Sequence, residues 1–475
     1  MLATHESTAP PEVALGLGRR HGTSTSVPFD RWFRYPAGFA SDHVAALLDE
    51  LALPVGQVLV DPFAGSGVGG TAARSRGLGF YGVEAHPLVA ELGRLKIEGV
   101  PGPPPLGLTP RPAGWLTGGA GEADRLGGRP GGGRSDGDGD LDAAPGLRDA
   151  ADAAAQRAKE LLADAPEGLC DSEADLVRSC FDGAVLADLV CLREAVRQDS
   201  GRWQPHLKWA LLATLRDVAS VKVGWPYQRP GSARRARHAD SVSRFVARAG
   251  LMADDLASLP TETGAAPRRA VVTGDSRLAE SWAGLADGEA AGCLTSPPYM
   301  NNFDYADATR LELYFWTALG SWKEMCDHVR APMLTATTQQ SNQPAASAAA
   351  AELEAWPAVA SECARLVGEL KAQRRARARG KEYDRVLPAY LAGAGAVLRH
   401  VARVLKPGAP CVLLVGDSAP YGVYVDTPAL LAGLAAGVGL TVVSDRKIRA
   451  RGGRWVTSGR HDHPLAERMV VLRRN

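Results

Sequence analysis

Four consecutive residues, Ser296, Pro297, Pro298 and Tyr299, combine side chains suited to holding a flat molecule that carries an amino group. The two prolines fix φ, so a carbonyl between them points in one direction. The Ser296 hydroxyl and the Pro297 carbonyl could accept hydrogen bonds from one exocyclic amine, while Tyr299 stacks on its ring. Such bonds would direct the nitrogen lone pair at a methyl donor. The alternative is a proline turn with a core tyrosine.

A glycine-rich stretch, DPFAGSG from Asp61 to Gly67, is the second candidate site. It follows a buried strand, QVLVD, and its small residues would let backbone approach a ligand at the carboxyl end of a sheet. It is neither a Walker P-loop nor a G-x-G-x-x-G dinucleotide loop. A tight turn that needs glycine is the alternative.

Two acids follow predicted strands. Glu84 ends YGVE and could accept from both hydroxyls of a ribose, and it lies about 20 residues after the glycine loop, as expected for a nucleoside site. Asp275 ends AVVTGD and could accept from an adenine amino group, or it could cap the helix that follows. Asn302 or Asp304, shortly after SPPY, could cap the start of a helix.

These motifs need a sheet to position them. The sequence runs strand, glycine loop, helix, strand from QVLVD to GFYGVE, which is the opening of a doubly wound α/β sheet. The pattern resumes at RRAVVTGD, AAGCLTSPPY and PCVLLVGD. The last two segments, LTVVSDRKIRARGGRW and AERMVVLRRN, predict a terminal antiparallel hairpin. The predicted fold class is therefore α/β, a Rossmann-like sheet with a terminal hairpin and helical insertions.

Composition fits a globular protein, with 45% apolar and 23% charged residues. The net charge is +1, so contact with nucleic acid must come from local basic patches. The seven cysteines show no metal or disulfide spacing, and Cys293 is interpreted as a core residue. With no signal peptide or membrane span visible, we expect a cytoplasmic protein without a metal site.

DPFAGSG together with TSPPY resembles the amino-group DNA methyltransferases, which modify N4 of cytosine or N6 of adenine with S-adenosylmethionine (SAM). The resemblance implies a Rossmann-like SAM-methyltransferase fold and a target-amine clamp on the four residues of SPPY. It implies that the methionine side of SAM is held by Asp61, Phe63, Ala64, Gly65 and Gly67.

The resemblance also implies that Glu84 binds the SAM ribose and that Asp275 lies on its adenine side. The segment WFRYPAGF resembles the element whose aromatic residues flank the cofactor, with Phe39 as the candidate. A serine before the prolines favours N4 of cytosine, because adenine enzymes of this family more often have D-P-P-Y or N-P-P-Y. Double-stranded DNA with the target base flipped out is the implied partner.

Other functions stay open. A cognate restriction endonuclease or defence-system proteins are possible further partners. N6-adenine DNA methylation, an RNA or tRNA base amino-methyltransferase, and a non-catalytic nucleic-acid-binding protein on a relic of this fold are the alternatives. Three basic runs indicate a phosphate-binding surface or merely solvated faces: Trp225–His238, Lys371–Lys381 and RKIRARGGRW.

The same patterns divide the chain. Either of two helical segments could hold the DNA-recognition region. We expect a disordered tail over 1–20, a catalytic domain over 21–100 and 266–475, a Gly/Pro-rich low-complexity linker over 101–165, a helical insertion over 166–265 and a polar helical insertion over 320–390.

Overall fold

A computed structural model describes residues 23–35, 40–99, 146–224, 240–259, 267–300, 304–338, 340, 342–451 and 464–475. Several sequence predictions therefore lie outside the described residues. These are the tail of 1–20, the candidate Phe39, most of the linker and the basic run Trp225–His238.

One mixed sheet forms the centre of the described structure. Its strands are β1 (Val58–Asp61), β2 (Gly79–Glu84), β3 (Arg269–Thr273), β4 (Gly292–Thr295), β5 (Pro410–Gly416), β6 (Leu440–Ala450) and β7 (Ala466–Arg474). They lie in the order β3-β2-β1-β4-β5-β7-β6. The first five strands are parallel, and β7 is antiparallel to both β5 and β6. This confirms the predicted doubly wound, Rossmann-like α/β sheet with an antiparallel hairpin at its end.

Fourteen α-helices occur in the described ranges. They are α1 (Ser41–Leu51), α2 (Val68–Arg74), α3 (Pro87–Ile97), α4 (Leu147–Ala163), α5 (Asp175–Cys180), α6 (Gly183–Gln198), α7 (Gln204–Val218), α8 (Ser241–Ala257), α9 (Arg310–Trp316), α10 (Trp322–Met325), α11 (Gln343–Glu352), α12 (Pro357–Arg375), α13 (Tyr383–Val404) and α14 (Thr427–Ala436). Short 3-10 turns span Asp30–Trp32 and Asp307–Thr309.

Helices cover both faces of the sheet, which explains why the parallel strands are almost wholly apolar. On one face α1, α2 and α3 share an apolar core with strand residues that include Val412 and Leu414. On the other face α12, α13 and α14 pack against Cys411, Leu413 and Val415. The period-two alternation along β5 thus assigns each residue to one of two cores.

The helices α4 to α8 form a bundle whose apolar core differs from the two cores of the sheet and also includes residues of α3 and α9. Helix α4 lies inside the stretch predicted as a low-complexity linker over 101–165, so that prediction is wrong over Leu147–Ala163. The local sequence LRDAADAAAQRAKELLA is alanine-rich, and its apolar residues recur at helical steps and are buried. The glycine- and proline-rich composition that motivated the linker ends before this helix begins.

Cys293 is fully buried on β4, which confirms its interpretation as a core residue. Among the described residues, no helix is long and apolar enough to cross a membrane.

Candidate active site

A cleft lies at the carboxyl ends of β1, β2 and β4, the edge where ligands bind in open α/β sheets. It encloses about 680 Å³ of empty space, counting the part open to solvent. Both sequence motifs contribute to its walls. The residues that line it include Tyr35, Phe63, Gly65, Glu84, Ser276, Ser296, Pro298, Asp304, Tyr305 and Arg330.

A direct hydrogen bond joins the two motifs. Strands β1 and β4 are neighbours, with Val60 opposite Cys293, so the loops that follow them start side by side. The Thr295 hydroxyl donates to Oδ1 of Asp61 at 2.5 Å, and the Phe63 amide donates to the same oxygen at 2.9 Å. Asp61 therefore connects the loops and is not itself among the residues lining the cleft.

The Asp61 carboxylate is almost completely buried, at 1% exposure. Burial raises its pKa to about 6, although the two hydrogen bonds oppose that shift. Its second oxygen, Oδ2, has no hydrogen-bond partner among the described residues. An unsatisfied carboxylate oxygen in a packed loop is costly, and such groups cluster at functional sites.

The glycines of DPFAGSG are required by geometry. Gly65 and Gly67 have φ of +53° and +83°, in the left-handed region that other residues rarely adopt. A Cβ on Gly67 would lie 2.9 Å from Cδ1 of Ile97 and 3.0 Å from Cα of Gly93, so the loop also packs tightly against α3. Gly65 lines the cleft, and its amide donates a hydrogen bond to an acid.

That acid is Glu84, at the end of β2. Its Oε2 accepts from the Gly65 amide and its Oε1 from the His86 amide, each at 2.7 Å. Burial raises the pKa of Glu84 to about 7, and the two amide bonds work against the increase. The carboxyl is thus held in one orientation at the cleft wall.

The SPPY residues continue directly from β4. Ser296 and Pro298 line the cleft, whereas Pro297 is buried behind it. The Tyr299 phenol donates a hydrogen bond to Glu467 on β7, and the Arg451 guanidinium lies 5.0 Å from the centre of the Tyr299 ring. Burial and the Glu467 carboxylate raise the pKa of Tyr299 well above its ordinary value.

The residues after SPPY form the opposite wall. Asp304 and Tyr305 both line the cleft, and Asp304 forms an ion pair with the buried Arg330. The Tyr299 amide donates to the Tyr305 hydroxyl at 3.3 Å. Asp304 also accepts from the amide of Asp307 at 3.2 Å, so it both lines the site and caps the turn that precedes α9.

Asp275 is placed differently from the other predicted site residues. Its carboxylate pairs with Arg277 at 2.6 Å and accepts from the Arg277 amide at 2.9 Å. The next residue, Ser276, lines the cleft. In this structure Asp275 therefore caps a turn, and a contact with adenine remains a prediction.

Five of the predicted site residues line one cleft: Phe63, Gly65, Glu84, Ser296 and Pro298. Asp61, Ala64, Gly67, Pro297 and Tyr299 lie in the same two loops without lining it, and Phe39 is outside the described residues.

Four residues that line the cleft or contact its two loops were not predicted from the sequence: Tyr35, Thr295, Arg451 and Glu467. Tyr35 lies within the segment WFRYPAGF, where Phe39 was preferred, and Thr295 is the first letter of TSPPY. No local signal marks Glu467, because its role depends on the pairing of β7 with β5. Among the described residues, no group of three or more His, Cys, Asp and Glu side chains could hold a metal ion.

Comparison with known proteins gives short similarities. No protein-family model matches the chain. The type II methyltransferase M.BsoBI of Geobacillus stearothermophilus is 37% identical over 57 residues, which is 12% of this chain and 11% of that protein. A solved structure from Thermus thermophilus, provisionally named a DNA modification methylase, is 22% identical over 18% of this chain and 37% of its own. Its TM-score of 0.15 is too low to support any argument about this chain.

Proposed function

We propose that this protein is a SAM-dependent DNA methyltransferase that acts on the exocyclic amine of a flipped base, with N4 of cytosine favoured. The observation that carries the proposal is the shared cleft, in which Gly65 and Glu84 face Ser296 and Pro298. The short similarity to a protein named as a type II methyltransferase supports methyl transfer as the reaction.

The described residues fit SAM. Glu84 presents a fixed carboxylate that can accept from ribose hydroxyls, and the glycine loop brings backbone close to the cleft. When bound, SAM supplies an electrophilic methyl group.

The chain's own residues would then orient the acceptor amine. The Ser296 hydroxyl and the Pro297 carbonyl accept from its two N–H groups, which concentrates electron density on the nitrogen. The Tyr299 ring stacks on the base after it leaves the duplex. Glu467 fixes the ring by accepting a hydrogen bond from its phenol, so that the stacking surface is oriented before the base arrives.

Three related functions compete with this one. Ser296 favours cytosine, yet the same clamp could hold the adenine amine. An RNA or tRNA base is a further alternative, and so is non-catalytic binding. A cognate restriction endonuclease or defence-system protein belongs to the proposal as a possible partner.

The test incubates the purified protein and labelled SAM with duplex DNA and, separately, with bulk tRNA. Label in DNA that elutes as N4-methylcytosine after nucleoside digestion supports the proposal, and N6-methyladenine would replace cytosine by adenine. Label only in tRNA would overturn the DNA assignment. Bound SAM with no transfer to either substrate would favour non-catalytic binding.

A further inference from the structure

Arg216 on α7 connects the helical bundle to both walls of the cleft. Its Nε donates to Glu312 at 2.6 Å, its Nη1 to the carbonyl of Arg34 at 2.7 Å, and its Nη2 to the carbonyl of Ala308 at 2.8 Å. Its guanidinium carbon lies 4.0 Å from the centre of the Phe33 ring. One side chain thus satisfies three acceptors that belong to two separate stretches of chain.

Both stretches lead into the cleft. Arg34 immediately precedes Tyr35, which lines the cleft and is 3% exposed. Ala308 follows Tyr305, another lining residue, by one turn. Arg216 itself is not among the lining residues, so its influence on the cleft is exerted through these two backbones.

A second set of hydrogen bonds continues from Ala308 to Glu84. The next residue, Thr309, is fully buried, and its hydroxyl lies 2.6 Å from Nε2 of His86. Burial lowers the pKa of His86 to about 3, so the imidazole is neutral. Because its Nδ1 accepts from the Val89 amide, Nε2 carries the proton and donates it to Thr309.

The chain of contacts then closes into a ring. The His86 amide donates to Glu84, and Glu84 accepts from the Gly65 amide. A Cβ built on Gly65 would lie 3.7 Å from Cε1 of Tyr35, so the glycine loop contacts the residue that follows Arg34. The ring of contacts starts and ends at Arg216. In order, it runs through Ala308, Thr309, His86, Glu84, Gly65, Tyr35 and Arg34.

The bundle holds the first wall at another point as well. Asp255 on α8 is 1% exposed and accepts from the Phe29 amide at 2.8 Å and from the Trp32 indole at 2.9 Å. It also forms an ion pair with Arg31. The segment that ends in Tyr35 is thus attached to α7 and α8, although no described residue of α4 to α8 lines the cleft.

We infer that Arg216 is a positioning residue through which the helical bundle sets the affinity of the cleft for SAM. The inference rests on the proposed function. A guanidinium can serve all three acceptors in a fixed fork, and lysine cannot. Its loss would leave two backbone carbonyls and the buried Glu312 carboxylate without their donor, and the walls would separate.

The test compares Arg216→Lys and Thr309→Val with Arg148→Lys. The control replaces an exposed arginine of the same bundle, whose pair with Asp254 is at the surface. Isothermal titration gives the Kd for SAM, and steady-state kinetics give kcat and the KM for DNA. We expect Arg216→Lys to raise the SAM Kd roughly tenfold, as loss of a charged hydrogen bond does, and to leave the KM for DNA within about twofold.

Thr309→Val preserves the shape of the side chain and removes its hydroxyl, which accepts from His86 and donates to the Ala306 carbonyl at 3.3 Å. It should raise the SAM Kd about threefold. In the double variant, the loss of SAM binding free energy should be smaller than the sum of the two single losses, because both residues act in one ring of contacts. Arg148→Lys should leave the Kd unchanged.

The outcomes separate the two proposals. Wild-type protein that binds no SAM would overturn the proposed function and this inference together. If the wild type binds SAM and both Arg216→Lys and Thr309→Val bind it equally well, only the inference fails. A lower melting temperature with unchanged SAM affinity would also overturn it, since that result indicates a purely structural role.

Discussion

The phenol of Tyr299 donates a hydrogen bond to the carboxylate of Glu467, which lies 168 positions further along the chain. Glu467 is also paired across the hairpin with Arg449. The last two strands therefore do more than close the sheet, because they fix the aromatic ring of SPPY. A residue with no motif around it thereby becomes part of the proposed target-base site.

We expect Glu467→Ala to lower kcat roughly tenfold, because the Tyr299 ring loses the hydrogen bond that holds it in one orientation. The Kd for SAM should change by less than about twofold. Methyl transfer to duplex DNA and isothermal titration measure the two quantities. Glu50→Ala is the control, since it removes an exposed ion pair with Arg446 of the same hairpin. Equal losses in both variants would contradict a specific role for Glu467.

Ser296→Ala and Glu84→Ala should separate turnover from cofactor binding. Loss of the Ser296 acceptor should reduce kcat by roughly a hundredfold with little change in SAM affinity, as removal of a transition-state hydrogen bond does. Glu84→Ala should instead raise the SAM Kd about tenfold or more, because a carboxylate acceptor is removed. Single-turnover kinetics and titration give both values. Equal SAM affinity in the two variants would refute this division of roles.

The contribution of Glu84 to the stability of the ligand-free protein should fall as pH rises from about 5 to about 7. The buried His86, with its pKa lowered to about 3, contributes the opposite slope over the lower part of this window. Folded Glu84 has its pKa raised to about 7 from an ordinary 4.5, so the folded state binds more protons than the unfolded state between these values. Its contribution is fully present below the ordinary pKa and is lost through the folded pKa. Urea denaturation across this window, compared between the wild type and Glu84→Gln, isolates this contribution. The wild type should lose stability relative to Glu84→Gln as pH rises. An unchanged slope in Glu84→Gln would assign the effect to other groups.

SAM affinity should show the opposite pH dependence. Ribose hydroxyls donate to the ionised carboxyl of Glu84 and less well to the protonated form, so the Kd should decrease as pH rises through about 7. Titrations on either side of that pH measure the change. In Glu84→Gln, which cannot ionise, the Kd should no longer vary in this range.

Gly67→Ala should destabilise the protein more than Gly56→Ala. Both glycines have a φ near +80°, at +83° and +82°, so the backbone strain introduced by alanine is matched. Only at Gly67 does the new Cβ meet other atoms, whereas nothing lies within 4 Å at Gly56. We expect an additional loss of about 1–3 kcal/mol in the free energy of unfolding, measured by denaturant titration. Equal losses in the free energy of unfolding would show that α3 accommodates the new Cβ without an energetic cost.

The basic run Lys371–Lys381 should contribute to DNA affinity by neutralising phosphates. Arg375 and Arg379 are exposed, and Arg375 ends α12. The double variant Arg375→Ala/Arg379→Ala should weaken DNA binding and reduce the slope of log K against log salt by about 0.9 for each phosphate that is no longer neutralised. Arg365→Ala is the control on the same helix, because Arg365 pairs with Glu362 and Glu369. If the salt slope is unchanged in the double variant, the DNA phosphates do not bind at these two arginines.

The sequence alone predicted the sheet well, and for a physical reason. Strand β2 has the bounds of the predicted GFYGVE, because a buried parallel strand leaves an uninterrupted apolar run between turn residues. The cleft residues Gly65, Glu84, Ser296 and Pro298 were identifiable because each follows a strand that ends at the same edge.

Long-range side-chain contacts could not be predicted in the same way. The pairing of Tyr299 with Glu467 depends on strand register, and the three acceptors of Arg216 lie on two distant stretches of chain. Helix α4 was missed because a Gly- and Pro-rich stretch precedes it, although its own residues have strong helical propensity. Local patterns determine the elements, whereas these contacts appear only after the elements have packed.

Glu467 stands on β7, which is paired on both sides, with Gly416 opposite it on β5 and Arg449 on β6. Interior strands are among the last parts of a protein to open, and their amide hydrogens exchange slowest. The edge strand β6, with its charged Asp445, Arg446 and Lys447, protects β7 from solvent and from pairing with other chains. The orientation of the Tyr299 ring therefore depends on an interior strand that opens slowly. A substitution that destabilises β6 would increase the motion of that ring without contacting it.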